Sequence, residues 1–492
     1  MMALPTAVYG SQQVRALEAY AIRELGVPSF VLMKRAAEAA LRVLRTRWPT
    51  ALDIVIVCGG GNNGGDGYVL ARFARAAGLG VRVLAVVAPA DLHGDARRAH
   101  DELVASAGEV ESFSAQQLAD ADVIVDALLG IGFNGTLRGP LQAAVDVINA
   151  TLKPVFALDI PSGLDADTGQ VPTTAVRADA TLTFIGLKTG LLLGSGPEHA
   201  GVVACDDLEI EAPDHAEFEP RLARLTESAI AEALPRRARL AHKGTYGRVL
   251  IVGGGAGMPG ALRLAGEAAL RAGAGLVTVA GAPENLASVV SDCPELIYAA
   301  IGGGADLESH LKRADVVAIG PGLGRTEWAR ALCDRVFACA APLVVDADAL
   351  NLLAESRPLR REDWILTPHP GEAARLLDLQ IEPVQDDRIA AVDALVARYA
   401  GVAVLKGAGT LIAGAGARSI CERGNPGMAT AGMGDVLTGT IAAVLAQCKD
   451  VGRAARVGVL AHAIAGDIAA REGQRGLIAR DVLRELRASV NR

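Results

Sequence analysis

The sequence predicts an α/β protein built from two successive β/α series. Three observations carry that class. Short apolar runs, Asp53–Cys58, Val81–Val87, Val123–Ala127, Pro154–Leu158 and Ala180–Phe184, alternate with stretches of helical periodicity. The runs are continuous rather than alternating, as in strands buried on both faces of a parallel, doubly wound sheet. Glycine supplies 56 of the 492 residues, above the usual ~7%, which points to tight turns where backbone approaches a ligand.

In chain order, residues 11–47 read as helix. Leu17, Tyr20, Ala21 and Leu25, then Leu32, Ala36, Ala39, Leu41 and Leu44, recur at helical spacing around a Gly26-Val27-Pro28 interruption. Residues 206–225 are acidic, carry Pro213 and Pro220 and break the β/α rhythm, so they read as a domain end plus linker. A second series runs through Arg248–Val252, Leu276–Ala280, Asp315–Ile319, Leu343–Val345, Trp364–Thr367 and Val402–Leu405, and the C-terminal segment reads as purely helical. The expected domains are 1–214 and 225–492. They share a style but no repeat period.

A net charge of −8 without a basic stretch gives no nucleic-acid footprint. Seven scattered cysteines without a CxxC pair fit free thiols in a reducing compartment. The start, MMALPTAVYGS, lacks a basic and an apolar signal region. Val436–Cys448 is too short to cross a bilayer, which takes ~20 residues. A cytoplasmic protein with no membrane partner is expected.

Ligands of open α/β sheets bind beyond the carboxyl ends of the strands. After Asp53–Cys58 comes Gly59–Gly67, six glycines with Asn62, Asn63 and Asp66, and then a helix expected from Tyr68. Bare amides at a helix start suit an anion. Two further strands exit into Asp126–Thr136 and into Asp159-Ile160-Pro161-Ser162-Gly163-Leu164-Asp165. Oxygen ligands from Asn63, Asp126 and Ser162, only one of them charged, suit a monovalent cation better than Mg²⁺. Asp159 is then free for proton transfer. Lys188 either faces the same crevice or is a solvated surface lysine.

In the second series, Gly255, Gly257 and Gly260 form GxGxxG, but the next strand lacks the prompt acidic residue of a dinucleotide fold. Gly432-Met433-Gly434-Asp435 leads into a helix. Its amides suit phosphate, and Asp435 is placed to take a proton from a hydroxyl being phosphorylated. Lys406–Thr410 reads as a second phosphate cradle with one fixed charge. Gly320–Gly324 and Thr367–Glu372, with His369 in a proline-flanked turn, follow other strands. Asp346 and Asp348 read equally as caps or ligand contacts. No GxxxxGK[ST] loop occurs.

With these motifs in this order, the first half resembles an NAD(P)H-hydrate epimerase domain, through Gly59–Gly67, Asp126–Thr136 and Leu158–Asp165. The second half resembles the ADP- or ATP-dependent NAD(P)H-hydrate dehydratase, through Gly320–Gly324, Thr367–Glu372, Lys406–Thr410 and Ala431–Gly439. The resemblance implies a Rossmann-like domain followed by a ribokinase-like α/β domain. It implies epimerisation of the R and S hydrates of NAD(P)H, and ADP-driven dehydration of the S form, giving AMP and phosphate.

Residue by residue, the resemblance implies hydrate binding by Asn62, Asn63, Gly64, Gly65 and Asp66, by Gly130, Ile131, Gly132, Phe133, Asn134, Gly135 and Thr136, and by Asp159. It implies K⁺ on Asn63, Asp126 and Ser162. In the second domain it implies nucleotide contacts from Lys406, Gly407, Ala408, Gly409, Thr410 and Gly434, with Mg²⁺, and hydrate contacts from Ala261, Gly322, His369 and Asp435. Asp159 and Asp435 are the implied catalytic residues. NADHX, NADPHX and ADP are the expected small-molecule partners, with a homo-oligomer and no nucleic acid. Lys34 stands where the family usually has glutamate, after Leu32-Met33. The alternative is a ribokinase-like vitamin-precursor kinase with a non-catalytic nucleotide-binding N-terminal module.

Overall fold

A computed structural model describes residues 4–133, 135–356, 359–414 and 416–492. The chain divides into two compact units, Met1–Ala223 and Arg224–Arg492.

The first unit holds a seven-stranded parallel sheet in the order Val110–Ser112, Gly80–Ala85, Asp53–Cys58, Val123–Ala127, Val155–Leu158, Ala180–Phe184, Val202–Asp206. Its two outermost strands have no counterpart among the expected runs. Both are partly exposed, so the apolar signal that marks the inner strands is missing there. Asp53–Cys58 shows why the inner runs are continuous: Ile54, Ile56 and Cys58 pack into one core, Val55 and Val57 into the other. Helices Ser29–Arg47 and Asn62–Ala76 cover the first face, and Gly139–Ala150 the second.

The helix expected from Tyr68 starts instead at Asn62. Gly64, Gly65 and Gly67 therefore lie inside a helix, where glycine costs roughly 1 kcal/mol relative to alanine. Close approach is the reason for them. A Cβ on Gly64 would sit 2.1 Å from the Gly59 carbonyl oxygen, on Gly65 2.5 Å from Met33 Cε, and on Gly67 2.7 Å from Ala127 Cβ.

Residues 206–225 are no free linker. Leu208 and Ile210 are buried in the core of the first unit, and Leu222–Arg224 forms a strand. That strand lies antiparallel to Ala7–Tyr9, which on its other side runs parallel to Leu187–Lys188.

The second unit carries the order Ile297–Ala300, Leu276–Gly281, Arg248–Val252, Val316–Ile319, Leu343–Val345, Trp364–Leu366, Val402–Leu405, then the antiparallel strands Thr410–Gly414 and Ala417–Cys421. Helices Met433–Cys448, Val451–Ala469 and Ala479–Ser489 make the C-terminal end helical, as expected. Met433–Cys448 is buried almost all round, so it reads as one apolar run rather than a stripe. Among the described residues, no helix is long and apolar enough to cross a membrane.

Candidate active sites

In each unit the strand order reverses at one point, and ligand crevices of open sheets form there. In the first unit it lies between Asp53–Cys58 and Val123–Ala127. A cavity of about 600 Å³ opens beside it. Asn62, Asn63, Asp66, Gly130, Ile131, Gly132, Phe133, Asp159 and Lys188 line it. Gly64 and Gly65 do not, being turned against Gly59 and Met33. Gly135 and Thr136 are exposed and outside the lining, and Asn134 lies outside the described residues.

Asp159 sits at φ +66°, a left-handed conformation that aspartate tolerates better than most residues. Its Oδ1 is 2.5 Å from Lys188 Nζ, and its Oδ2 accepts the Ile131 amide at 3.3 Å. Lys188 is completely buried and also donates to the Phe184 carbonyl at 2.7 Å. That decides its place: it belongs to the crevice, not the surface. Glu18, on helix Ser11–Arg23, lines the same cavity. No motif marks it; only the packing of that helix brings it there.

Beneath the cavity floor, Asp126 accepts the Ser162 amide at 2.8 Å, the Ser162 hydroxyl at 2.7 Å and the Leu128 amide at 3.1 Å. Burial nevertheless pushes its carboxyl up to about 6, against those bonds. Asn63 donates through Nδ2 to the Leu129 carbonyl at 2.9 Å, while its Oδ1 is buried without a partner. Ser162 Oγ accepts the Leu129 amide at 2.9 Å. The structure thus joins Asn63, Asp126 and Ser162 through one short loop, leaving one orphaned oxygen and one uncompensated carboxylate. Both are what a bound cation would relieve.

In the second unit the reversal lies between Arg248–Val252 and Val316–Ile319. The two glycine loops that follow are bonded to each other, Gly254 N to Pro321 O at 2.9 Å and Gly255 N to Gly322 O at 2.7 Å. A Cβ on Gly253 would meet the Pro321 oxygen at 2.1 Å. Of the GxGxxG glycines, Gly255 is therefore spent on backbone packing, while a Cβ on Gly257 or Gly260 would meet nothing within 4 Å. Gly322, at φ +56°, is pressed against Ala261: its Cβ would lie 3.0 Å from the Ala261 Cβ.

A polar chain links the remaining motifs. His369 caps helix Pro370–Leu377, its Nδ1 accepting the Gly371 amide at 3.0 Å, and its Nε2 is 3.4 Å from Glu372 Oε1. Glu372 Oε2 is 3.7 Å from Lys406 Nζ, and Lys406 is 2.7 Å from Asp346 Oδ1. Asp346, 1% exposed, also accepts Thr367 Oγ1 at 2.9 Å and Thr438 Oγ1 at 2.8 Å. It stands at the N-cap of helix Ala347–Glu355, but its side chain makes no cap bond there and instead anchors the network. Asp348 accepts the Gly324 amide at 2.8 Å.

Lys406 is thus not a lone charge in a cradle. Burial pushes its ammonium down, but Asp346 and Glu372 outweigh that and hold it above its ordinary value. Arg388, which the sequence reading missed, donates to the carbonyls of Leu405, Lys406 and Gly409 from beneath the loop. Gly407 and Ala408 stay exposed, and Thr410 Oγ1 donates to Gly407 O at 2.8 Å. At the start of helix Met433–Cys448, a Cβ on Gly434 would lie 3.6 Å from Lys406 Nζ. Burial, then the Asp346 carboxylate, push Asp435 up to about 7, with Lys406 opposing.

Two family models match the chain: "YjeF-related protein N-terminus" over residues 29–190 and "NAD(P)H-hydrate dehydratase" over residues 249–487. The bifunctional NAD(P)H-hydrate repair enzyme Nnr of Coxiella burnetii is 47% identical over 490 residues, covering 99% of this chain and 100% of that one. Its Escherichia coli counterpart is 42% identical over 492 residues, covering 100% and 95%. The Bacillus subtilis ADP/ATP-dependent NAD(P)H-hydrate dehydratase, co-crystallised with ATP/Mg²⁺, matches with a TM-score of 0.50 and 31% identity. That match covers 55% of this chain and 97% of that one. End-to-end identity to such enzymes, with a dehydratase family model over the second half, leaves one conclusion: the chain belongs to the bifunctional NAD(P)H-hydrate repair enzymes.

Proposed function

We propose that residues 1–214 epimerise the R and S hydrates of NADH and NADPH, and that residues 225–492 dehydrate the S form with ADP. The buried Lys188–Asp159 pair facing the first cavity carries the epimerase reading. It puts a carboxyl group where a substrate proton can be taken, and Asn62, Asp66, Gly130 and Phe133 line the same cavity. K⁺ fits the set Asn63, Asp126 and Ser162, and would fix the three strand-end loops around the hydrate.

In the second unit, Asp435 takes the proton of the substrate's C6 hydroxyl. The hydroxyl oxygen attacks the terminal phosphorus of ADP, and AMP leaves. Elimination of the phosphate, with loss of a C5 proton, restores the C5–C6 double bond. The amides of the Gly432–Asp435 turn and the Lys406–Thr410 loop hold the phosphates, while Gly322, Ala261 and His369 face the nicotinamide part. The carboxylates of Asp346, Asp348, Glu372 and Asp435 outnumber the one nearby lysine, which suits Mg²⁺ as the charge-neutralising ion of phosphoryl transfer. The vitamin-precursor kinase alternative is weaker, because the relatives match both halves of the chain under one repair activity. A cytoplasmic homo-oligomer completes the reading.

Incubating the protein with mixed hydrates, ADP and Mg²⁺ tests this directly. Absorbance at the reduced-nicotinamide band is expected to return for the whole mixture. A stable phosphate ester accumulating instead would support the kinase.

Two predictions divide the labour. Asp126→Ala is expected to lower epimerisation while ADP-dependent dehydration of the pure S hydrate is unchanged, since the second unit shares none of the K⁺ set. Raising the K⁺ concentration is expected to speed epimerisation by K⁺-depleted wild type but not by the variant. A fragment of residues 225–492 is expected to repair the S hydrate at the full-length rate and leave the R hydrate behind. Chiral separation of the residual hydrates reads that result. Repair of both forms at the full-length rate refutes the division.

A further inference from the structure

The first cavity holds more carboxylate than its cations neutralise. Glu18, Asp66, Asp95 and Asp159 line it, with Arg15 and Lys188. Lys188 is committed to Asp159 and the Phe184 carbonyl. Arg15 donates to the Ile131 carbonyl at 2.9 Å, and Ser29 hydrogen-bonds Asp95. Asp66 projects from the first turns of helix Asn62–Ala76 and, among the described residues, forms no ion pair. Burial, and then the carboxylates of Asp159 and Glu18, push its carboxyl well above the ordinary range, with Lys188 opposing. Glu18 is pushed up by burial and by Asp159, but both Lys188 and Arg15 relieve it. Asp159 meets the cavity paired with the Lys188 ammonium, whereas Asp66 meets it with no cation bound to it among the described residues, and carboxyl groups in such unlike surroundings suit an acid and a base.

We propose that Asp66 is the proton donor and Asp159 the proton acceptor of an epimerisation that proceeds by loss and re-addition of the C6 hydroxyl. The inference rests on the reading of the first unit as a hydrate epimerase. C6 of the hydrate carries both the hydroxyl and ring nitrogen N1, so it is a hemiaminal carbon. Asp66 gives its proton to the hydroxyl oxygen while the C6–O bond breaks, and that bonding pair leaves with a water molecule. The N1 lone pair closes an N1=C6 iminium, and C6 becomes planar. A water molecule then adds to the opposite face, and the N1=C6 π pair returns to nitrogen. Asp159 takes the proton that this water loses. One water leaves and one enters, C6 keeps its hydrogen, and no oxidant or reductant is used. Asp66 ends as carboxylate and Asp159 as acid. Proton exchange with solvent resets them, and the reverse reaction runs with the roles exchanged. Removing the C6 hydrogen instead would leave a carbanion beside an amine nitrogen, with no carbonyl on the neighbouring atoms to accept the electron pair.

The test uses the full-length protein with pure R hydrate and an enzyme-free control. In H₂¹⁸O, every S molecule formed by the enzyme is expected to carry ¹⁸O at C6. In D₂O, none is expected to carry deuterium at C6. Asp66→Asn is expected to lower epimerisation by at least ~10²-fold, with ADP-dependent dehydration of the S hydrate unchanged as the check on folding. Asp66→Glu restores part of the rate, and Glu18→Gln causes the smaller loss of the two amide variants. Retained ¹⁶O, deuterium at C6, an Asp66→Asn rate within a few-fold of wild type, or a larger loss in Glu18→Gln overturns the proposal. A wild-type protein that fails to epimerise at all refutes the epimerase reading itself, a distinct outcome.

Discussion

Asp435→Asn is expected to lower ADP-dependent recovery of NADH from the S hydrate by ~10²–10⁴-fold, the usual contribution of a general base. The amide keeps the size and hydrogen-bonding reach of the carboxyl and removes only its basicity. Nucleotide affinity is expected to stay near wild type, because the glycine-turn amides and the Lys406 loop are untouched. Single-turnover kinetics with separate titration of ADP binding distinguishes the two. The pH dependence carries its own sign. Asp435 is pushed up to about 7 by burial and by Asp346, and a base works only when ionised. The kcat/KM for dehydration is therefore expected to rise with pH and level off above about 7, and that limb is expected to vanish in Asp435→Asn. The same shift costs stability. Between the unfolded pKa of ~3.9 and the folded value of about 7, the unfolded carboxyl has lost its proton while the folded one still holds it. Stability thus falls as pH rises from the unfolded toward the folded value. Asp435→Asn is expected to be at least as stable as wild type at pH 8 while nearly inactive, a trade common at active sites.

Lys188→Met is expected to destabilise the first unit and abolish epimerisation together. The lysine is completely buried, and its partner Asp159 is 13% exposed. Removing one partner of a buried pair typically costs ~3–5 kcal/mol, because the other charge is left uncompensated. For a unit of this size, each kcal/mol lowers the melting temperature by ~2–4 °C. Calorimetry is expected to show a transition depressed by ~6–20 °C. The double variant Lys188→Met with Asp159→Asn removes both charges, and asparagine also tolerates the φ of +66° at this position. It is expected to regain most of the stability and none of the activity. An unchanged melting temperature in Lys188→Met would show that water screens the pair.

How legible each part was depended on whether local chemistry or packing set it. The inner parallel strands of both sheets were legible because two-sided burial demands unbroken apolar runs, whereas the antiparallel Thr410–Gly414, although inner, was not expected. The outer strands Val110–Ser112 and Val202–Asp206 were not, since an exposed edge imposes no such pattern. Asn63, Asp126, Ser162 and Asp159 were legible as polar residues at strand ends, where a doubly wound sheet opens its crevice. The Gly59–Gly67 run was legible as special, but its reason was hidden: three of its glycines sit within a helix because the Gly59 carbonyl, Met33 and Ala127 leave no room for a Cβ.

The two β/α series, their order, the helical C-terminal end and the glycine-rich turns at strand ends follow from residues close in the chain. Which polar groups meet follows from packing between distant segments. Lys188 faces Asp159 across 29 positions, Lys406 faces Asp346 across 60, and Thr438 faces Asp346 across 92. The same holds for Glu18, Asp66 and Arg388, whose roles come from burial against distant groups. A side chain's charge state depends on desolvation and on neighbours within a few ångströms, and those distances exist only once the sheets have brought their strand ends together.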